Sequence, residues 1–204
     1  MNNLYKLETL LHKQGYKYIV GTDEVGRGPM AGPLVAAAVI LPENTKIEGI
    51  NDSKRLTAKR RNELFHKIKK AAIEVQVSFI DVETIDKINV LEASRRAMIN
   101  CIEKMETKVD YILSDAVKLN FDIPNENIIK GDRKSASIAA ASIIAKVTRD
   151  NYMVEMDKIY PNYGFKNHKG YVTQGHLQAL NKYGVTKIHR RSFSPVRKAM
   201  NILN

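Results

Sequence analysis

Apolar and polar residues alternate over 74–80, where Val75, Val77 and Phe79 interleave with Glu74, Gln76 and Ser78. A period of two marks a strand with one polar face. Two apolar runs, about Tyr18–Thr22 and Leu34–Leu41, read as the first and second strands. Tyr111-Ile112-Leu113 predicts a fourth strand ending in Ser114-Asp115, and Asn127-Ile128-Ile129-Lys130 a short fifth ending in Gly131-Asp132.

Between these runs the apolar spacing becomes helical. Residues 4–14 read as a short amphipathic helix stopped by Gly15. Leu64, Phe65, Ile68, Ala71 and Ala72 share one face of a helix that Thr57 can cap. Asp81 or Thr84 opens a short turn or helix. A further helix over about 91–105 turns Ala97, Met98, Cys101, Ile102 and Met105 inward. The longest helix, about Ser135 to Ile159, is small or apolar nearly all round from Ala136 to Ala145, so it lies close to a sheet. Tyr160-Pro161-Asn162-Tyr163-Gly164 ends it, and a helix near Gln174–Lys182 and a turn at Ser192-Phe193-Ser194-Pro195 follow. Three strands and then a helix-connected strand pair predict an α/β fold, a mixed sheet with helices on both faces.

Composition narrows this picture. The 204 residues suit one domain with a small C-terminal segment. No apolar run reaches membrane-spanning length, and Met1–Gln14 lacks the shape of a signal peptide. Cys101 is the single cysteine, which excludes an internal disulfide and a cysteine-based zinc site and fits a reducing, cytoplasmic setting. The net charge of +11 is unevenly spread: residues 158–204 hold nine Lys/Arg, no Asp or Glu, and His168, His176 and His189. That segment reads as a footprint for nucleic acid, with a solvated basic face as the alternative. Arg190 and Arg191 are expected to touch phosphates. His168 and His176 are expected at the surface or on phosphates.

Candidate chemistry centres on residues 19–34, where an apolar strand runs into Asp23-Glu24 and then Gly26-Arg27-Gly28-Pro29 and Gly32-Pro33. Adjacent strand residues face opposite ways, so both carboxylates cannot enter a core unless something binds them, and a divalent cation with hard oxygen ligands is one remedy. A solvated hairpin end is the other reading. Gly26 and Gly28 offer bare backbone to a ligand, but the spacing is neither G-x-G-x-x-G nor a P-loop. Asp115 and Asp132 also follow strand ends, where sites gather in open α/β sheets. Four carboxylates meeting there would suit paired cations and phosphoryl chemistry. Asp150 reads as structural. Cys101 faces a core, His168 and His176 miss the H-E-x-x-H spacing, and no serine lies in G-x-S-x-G.

These stretches resemble a known family. Gly21-Thr22-Asp23-Glu24-Val25-Gly26-Arg27-Gly28-Pro29 is similar to the opening motif of the type 2 ribonucleases H, the ribonuclease HII family. Asn51-Asp52-Ser53-Lys54-Arg55-Leu56, Lys130-Gly131-Asp132-Arg133-Lys134-Ser135, the run from Ala139 to Asp150, and His168-Lys169-Gly170-Tyr171 resemble its later motifs, in family order. The resemblance implies a ribonuclease H-like fold, a five-stranded mixed sheet flanked by helices with a small helical C-terminal segment. It implies one catalytic domain over 1–204, in which about 160–204 is a basic, mostly helical substrate-binding segment. It implies a Mg²⁺- or Mn²⁺-dependent endonuclease, acting as a monomer on RNA/DNA hybrids and on ribonucleotides embedded in DNA duplexes, with no membrane partner. It carries metal binding onto Asp23, Glu24, Asp115 and Asp132. It carries recognition of the 2′-hydroxyl onto Gly26, Arg27, Gly28 and Tyr171, and a phosphate contact onto Lys54. The chain departs from the pattern at Ala116, where many members have Gly, and at Val172, where a smaller residue or Pro is frequent. The extra N-terminal domain of the related type 3 enzymes is not expected, because the first motif begins near residue 19. Two alternatives stay open: a non-catalytic nucleic-acid binder, and another phosphoryl transferase of the ribonuclease H fold that cuts all-DNA substrates.

Overall fold

Gly21 sits where the longest helix crosses the sheet. A methyl group there would run into the main chain of Ser137 and Ile138, so a residue without Cβ permits the close approach. In the computed structural model, which describes residues 4–51, 53 and 56–202, that helix is α4, Ala136–Ile159. It lies against β1 (Ile19–Val25) and β2 (Leu34–Ile40). Its alanines Ala136, Ala139, Ala140 and Ala141 pack with Val35, Ala37 and Val39 of β2.

The sheet has the order β3-β2-β1-β4-β5, with β3 at Glu74–Ile80, β4 at Tyr111–Asp115 and β5 at Asn125–Ile128. Antiparallel pairs join β1 to β2 and β2 to β3, and parallel pairs join β1 to β4 and β4 to β5. All seven residues of β2 are buried. Alternate side chains supply two cores, Leu34, Ala36, Ala38 and Ile40 toward α3 (Val82–Glu103) and Val35, Ala37 and Val39 toward α4 and α2 (Ala58–Ala71). The mixed sheet with helices on both faces is the architecture the sequence predicts.

The helix ends obey capping chemistry. Thr57 accepts a hydrogen bond from Arg60 N–H at 3.2 Å, and Ser135 one from Ile138 N–H at 3.2 Å. Glu8, on α1 (Lys6–Lys13), accepts from the Ser135 hydroxyl at 2.6 Å and from Ser137 N–H at 2.9 Å. A buried carboxylate thus sits at the positive end of α4.

Four elements differ from the sequence reading. β1 runs on through Asp23 and Glu24 to Val25, because its antiparallel ladder with β2 continues there. β5 lies at 125–128 rather than 127–130, since its register follows β4, with Asp115 opposite Ile128. The helices predicted on either side of residue 89 form one element, α3, interrupted at Asn89, whose φ is +64°. Its side-chain oxygen caps the second part by accepting from Leu91 N–H at 2.9 Å. Where a turn was expected at 192–195, α7 begins at Ser194 and continues to Ile202, and Val196 and Ala199 pack on Met30 and Leu180. Cys101 is buried, as read, and its thiol is pushed up to about 12 by burial. Among the described residues no helix is long and apolar enough to cross a membrane.

The C-terminal segment, with α5 (Phe165–His168) and α6 (Gln174–Tyr183), closes over the turn after β1. Main-chain hydrogen bonds run from Met30 N–H to Gly170 O at 2.9 Å, from Gly32 N–H to Ile188 O at 2.8 Å and from Arg190 N–H to Met30 O at 2.9 Å. Asp86 of α3 holds the far end, accepting from Arg191 N–H at 2.7 Å and Ser192 N–H at 3.0 Å.

Candidate active site

In the parallel pair of β1 and β4, Thr22 lies opposite Ser114, so Asp23 and Asp115 are the next residues along on neighbouring strands. Asp23 is buried, and Glu24 N–H donates to its Oδ1 at 2.7 Å. Its carboxyl is held well above the usual carboxylate range. Burial is the first cause, the negative charges of Glu24 and Asp115 come next, and a hydrogen bond from Ser142 opposes them. Ser142 in turn shares a 2.9 Å hydrogen bond with Ser53. Asp115 Oδ1 accepts from Gly131 N–H at 2.7 Å, which brings the next turn, Gly131–Arg133, against the end of β4. Asp132 in that turn is buried. Glu24 alternates to the other face of β1, and its Oε1 lies 3.6 Å from Arg27 Nη1.

The sheet therefore brings Asp23, Glu24 and Asp115 within electrostatic reach and sets the Asp132 turn beside Asp115. Among the described residues, no three His, Cys, Asp or Glu side chains converge, as they lie, on a point that could hold one ion. The donor set nonetheless fits a hard divalent cation. All of its atoms are carboxylate oxygens, and the charge excess felt at Asp23 is what such a cation neutralises. Ala116 adopts φ +53°, the left-handed region that glycine favours. Asp150 stands apart, paired with Lys146 at 2.6 Å and 4.0 Å from Arg61, in keeping with a structural role.

The second half of the site is the glycine turn. Gly26 has φ +102°. A Cβ there would lie 2.6 Å from Arg149 Nε and 2.9 Å from Pro33 O, so this position needs glycine twice over. Gly28 has ordinary backbone and faces Tyr171, whose Cε1 would lie 3.5 Å from a Cβ at residue 28. Tyr171 is 43% exposed. The Arg27 side chain is largely solvent-accessible.

Two buried arginines hold this arrangement. Arg149 donates to Pro33 O at 2.9 Å, Ala31 O at 3.0 Å and Lys169 O at 2.9 Å, joining the glycine turn to the Tyr171 loop. Arg190 donates to Gly26 O at 2.6 Å, Arg27 O at 3.3 Å and Gly32 O at 2.8 Å. Burial pushes Arg149 down to about 10 and Arg190 to about 9, so both stay charged at neutral pH.

This corrects the reading of the basic segment. Arg190 is 0% exposed and cannot touch a phosphate, because its N–H groups already serve main-chain carbonyls that need donors. His176 is buried too, whereas His168 is partly exposed. Arg191, Arg197 and Lys198 remain exposed. Lys54 lies outside the described residues. Arg61 Nη1 donates to Ser53 O at 3.0 Å and to Leu56 O at 2.6 Å. Sequence reasoning missed the roles of Arg149 and Ser142 and gave Arg190 the wrong one. A signal existed for two of them: Ser142, Arg149 and Met153 recur at helical spacing on one stripe of α4. Arg190 carries no such signal.

The chain is similar to known proteins over nearly its whole length. The family model described as "Ribonuclease HII" matches residues 20–196. A ribonuclease HII from Acholeplasma laidlawii is 55% identical over 193 residues, covering 95% of each chain. One from Enterococcus faecalis is 50% identical over 192 residues, covering 94% of this chain and 75% of the relative. Among solved structures, a ribonuclease H2 from Pyrococcus horikoshii superposes with a TM-score of 0.78 at 27% identity, covering 91% of this chain and 98% of that one.

Proposed function

The chain belongs to the ribonuclease HII family, and from that premise we propose that it cuts the phosphodiester on the 5′ side of a ribonucleotide, in an RNA/DNA hybrid or embedded in duplex DNA, leaving a 3′-hydroxyl and a 5′-phosphate. It is a ribonuclease H, and divalent-metal dependence is general to the family. Asp23, Glu24, Asp115 and Asp132 are the residues that would hold Mg²⁺ or Mn²⁺. When bound, paired cations supply an activated water and a counter-charge for the leaving oxygen. The observation that carries this reading is the buried Asp23 carboxyl, pressed by Glu24 and Asp115 directly before a glycine turn.

The remaining residues position the substrate. Gly28 faces the ring of Tyr171, and the backbone of Gly26, Arg27 and Gly28 together with the Tyr171 phenol would meet a sugar hydroxyl, which both donates and accepts. Arg149 and Arg190 pull carbonyls of the turn inward and fix its shape. Lys54 would contact a phosphate, and the exposed cations Arg191, Arg197 and Lys198 would track the duplex backbone. In this reading residues 1–204 form one catalytic domain, with 160–204 as its substrate-binding segment, working as a monomer in the cytoplasm.

The test is a duplex with a single embedded ribonucleotide, incubated with and without Mg²⁺ or Mn²⁺ beside an all-DNA control. Metal-dependent nicking 5′ of the ribonucleotide alone is expected. Cleavage of the all-DNA duplex, or none of either, overturns the assignment.

A further inference from the structure

His168, His176 and His189 come from α5, α6 and the segment after it, and they meet beneath the loop that carries Tyr171. The rings of His168 and His176 stack at 4.3 Å with 12° between their planes. His176 Nε2 lies 3.1 Å from His189 Nε2. Phe165 and Tyr163 pack around the group.

The main chain fixes where each proton resides. A neutral imidazole donates once and accepts once. Thr186 N–H donates to His189 Nδ1 at 3.0 Å, so the His189 proton is on Nε2 and points at His176. His176 Nε2 therefore accepts, and its own proton is on Nδ1, 2.9 Å from the carbonyl oxygen of Tyr171. Gly170 N–H donates to His168 Nδ1 at 3.2 Å, leaving its Nε2–H for Tyr163 O at 2.8 Å. The result is a directed relay, Thr186 to His189 to His176 to Tyr171. His176 and His189 are almost completely buried, and the cleavage chemistry uses neither.

The end of the relay needs a restraint. Gly170 is pinned by Met30 N–H, but residues 171–175 are exposed. Tyr171 is held at its N–H by His168 O at 2.9 Å and at its carbonyl by His176. We propose that His176 is a positioning residue for sugar recognition: its Nδ1–H, oriented by His189, fixes the Tyr171 carbonyl and so keeps the phenol opposite Gly28. The inference rests on the reading of Tyr171 as the group that meets the 2′-hydroxyl. A recognition group displaced by about 1 Å loses much of its effect, so the carbonyl bond matters although His176 is itself buried.

The amide substitutions separate the two ends of the ring. Asn at 176 places an N–H near the Nδ1 position and keeps the bond to Tyr171 O. Gln reaches the Nε2 position and keeps only the contact with His189. Cleavage of a duplex with one ribonucleotide is measured for wild type, His176→Asn, His176→Gln, Tyr171→Ala and the double variant His176→Gln/Tyr171→Ala. Thermal melts and all-DNA duplex affinity are recorded for each. His176→Gln is expected to lower kcat/KM tenfold or more, and His176→Asn to recover most of that loss. In the Tyr171→Ala background His176→Gln should add less than twofold, since its partner is already gone. Equal losses for Asn and Gln, or independent losses in the double variant, overturn the positioning role while leaving Tyr171 as the reader. Wild-type cleavage by Tyr171→Ala instead overturns the reading of Tyr171 itself.

Discussion

Arg190 Nη2 donates to the carbonyl oxygen of Gly26 at 2.6 Å, tying the C-terminal segment to the turn that follows Asp23-Glu24. A residue that the charge count assigns to phosphate is the internal brace of the glycine turn. Arg190 and Arg191 should therefore separate cleanly. Arg190→Met leaves buried carbonyls of Gly26 and Gly32 without donors and should cost on the order of 3 kcal/mol of stability, read as a lower denaturation midpoint with unchanged slope. Arg191→Gln should leave stability unchanged and flatten the dependence of log affinity on log salt by about one unit. Equal effects of the two on salt dependence would contradict the burial of Arg190.

Asp23 should show a conflict between stability and activity. Burial and the charges of Glu24 and Asp115 disfavour its ionised form. Asp23→Asn removes one of those charges at nearly constant shape. The metal-free variant should melt higher than wild type, by about 2–4 °C for each kcal/mol of repulsion relieved. It should lose cleavage almost completely, and Mg²⁺ or Mn²⁺ should no longer raise its Tm as it raises that of the wild type. Thermal scans with and without metal decide this, and an equal metal-induced shift in both proteins removes Asp23 from the ligand set.

Much of this was legible in the sequence because the signals were local. Alternation over 74–80 marked β3 to the residue, and the alanine-rich run gave α4. Asp23 and Asp115 each follow an apolar run within their strands, so their meeting needed only the strands to be neighbours. What stayed hidden depends on distant partners. Nothing around Arg190 in the chain announces carbonyls some 160 residues away as its acceptors, and nothing in the spacing of His168, His176 and His189 encodes a buried relay. The charge surplus misled for the same reason: a formal charge does not say whether a guanidinium faces solvent or main chain. α7 was missed because Pro195 suggests a turn, although Pro is welcome in the first turn of a helix and Val196, Ala199 and Met200 follow at helical spacing.

Ala116 marks an inexpensive gain. Its φ of +53° costs a residue with a Cβ about 1 kcal/mol relative to glycine. Ala116→Gly should raise Tm by about 2–4 °C without altering cleavage, since the residue is exposed and contributes no donor side chain. An unchanged or lower melting temperature would show that the freedom gained by the unfolded chain offsets the relieved strain.

The buried histidines set a pH dependence. Burial pushes His176 down to about 4 and His189 to about 3, with neighbouring rings adding to it. Both are neutral in the fold, whereas in the unfolded chain they take up protons below about pH 6.5. Stability is therefore fully present above pH 6.5 and falls as pH drops through that value toward 4 and then 3. At pH 4 the loss should be on the order of 5 kcal/mol for the pair. Glu74, held down to about 2 by its hydrogen bonds to Gln76, Glu106 and Thr107 despite partial burial, adds its loss only below about pH 4.5. Asp23, whose carboxyl is raised in the fold, contributes in the opposite sense, so melting curves of Asp23→Asn between pH 7 and 5 isolate the histidine part, and adding His176→Asn should remove about half of that slope. A flat Tm over this range would mean that the rings are not buried as described.

Gly26 and Gly28 look equivalent in the sequence but should respond differently to alanine. At Gly26 the φ of +102° and the contacts of a Cβ with Arg149 Nε and Pro33 O act together. The left-handed penalty and the overpacking sum to about 3 kcal/mol, so Gly26→Ala should be destabilised and poorly active for that reason. At Gly28 a Cβ makes ordinary contact, 3.5 Å from the Tyr171 ring, so Gly28→Ala should melt within about 1 °C of wild type. Its methyl group would nevertheless occupy the gap between the turn and the phenol, where the proposed reading has the sugar hydroxyl enter. Cleavage at a single embedded ribonucleotide should fall tenfold or more, about 1.4 kcal/mol of lost transition-state stabilisation, while affinity for an all-DNA duplex stays the same. Rates and melts of both variants on one duplex give the answer. If Gly28→Ala cleaves like wild type, the sugar is not read in the gap between residues 28 and 171.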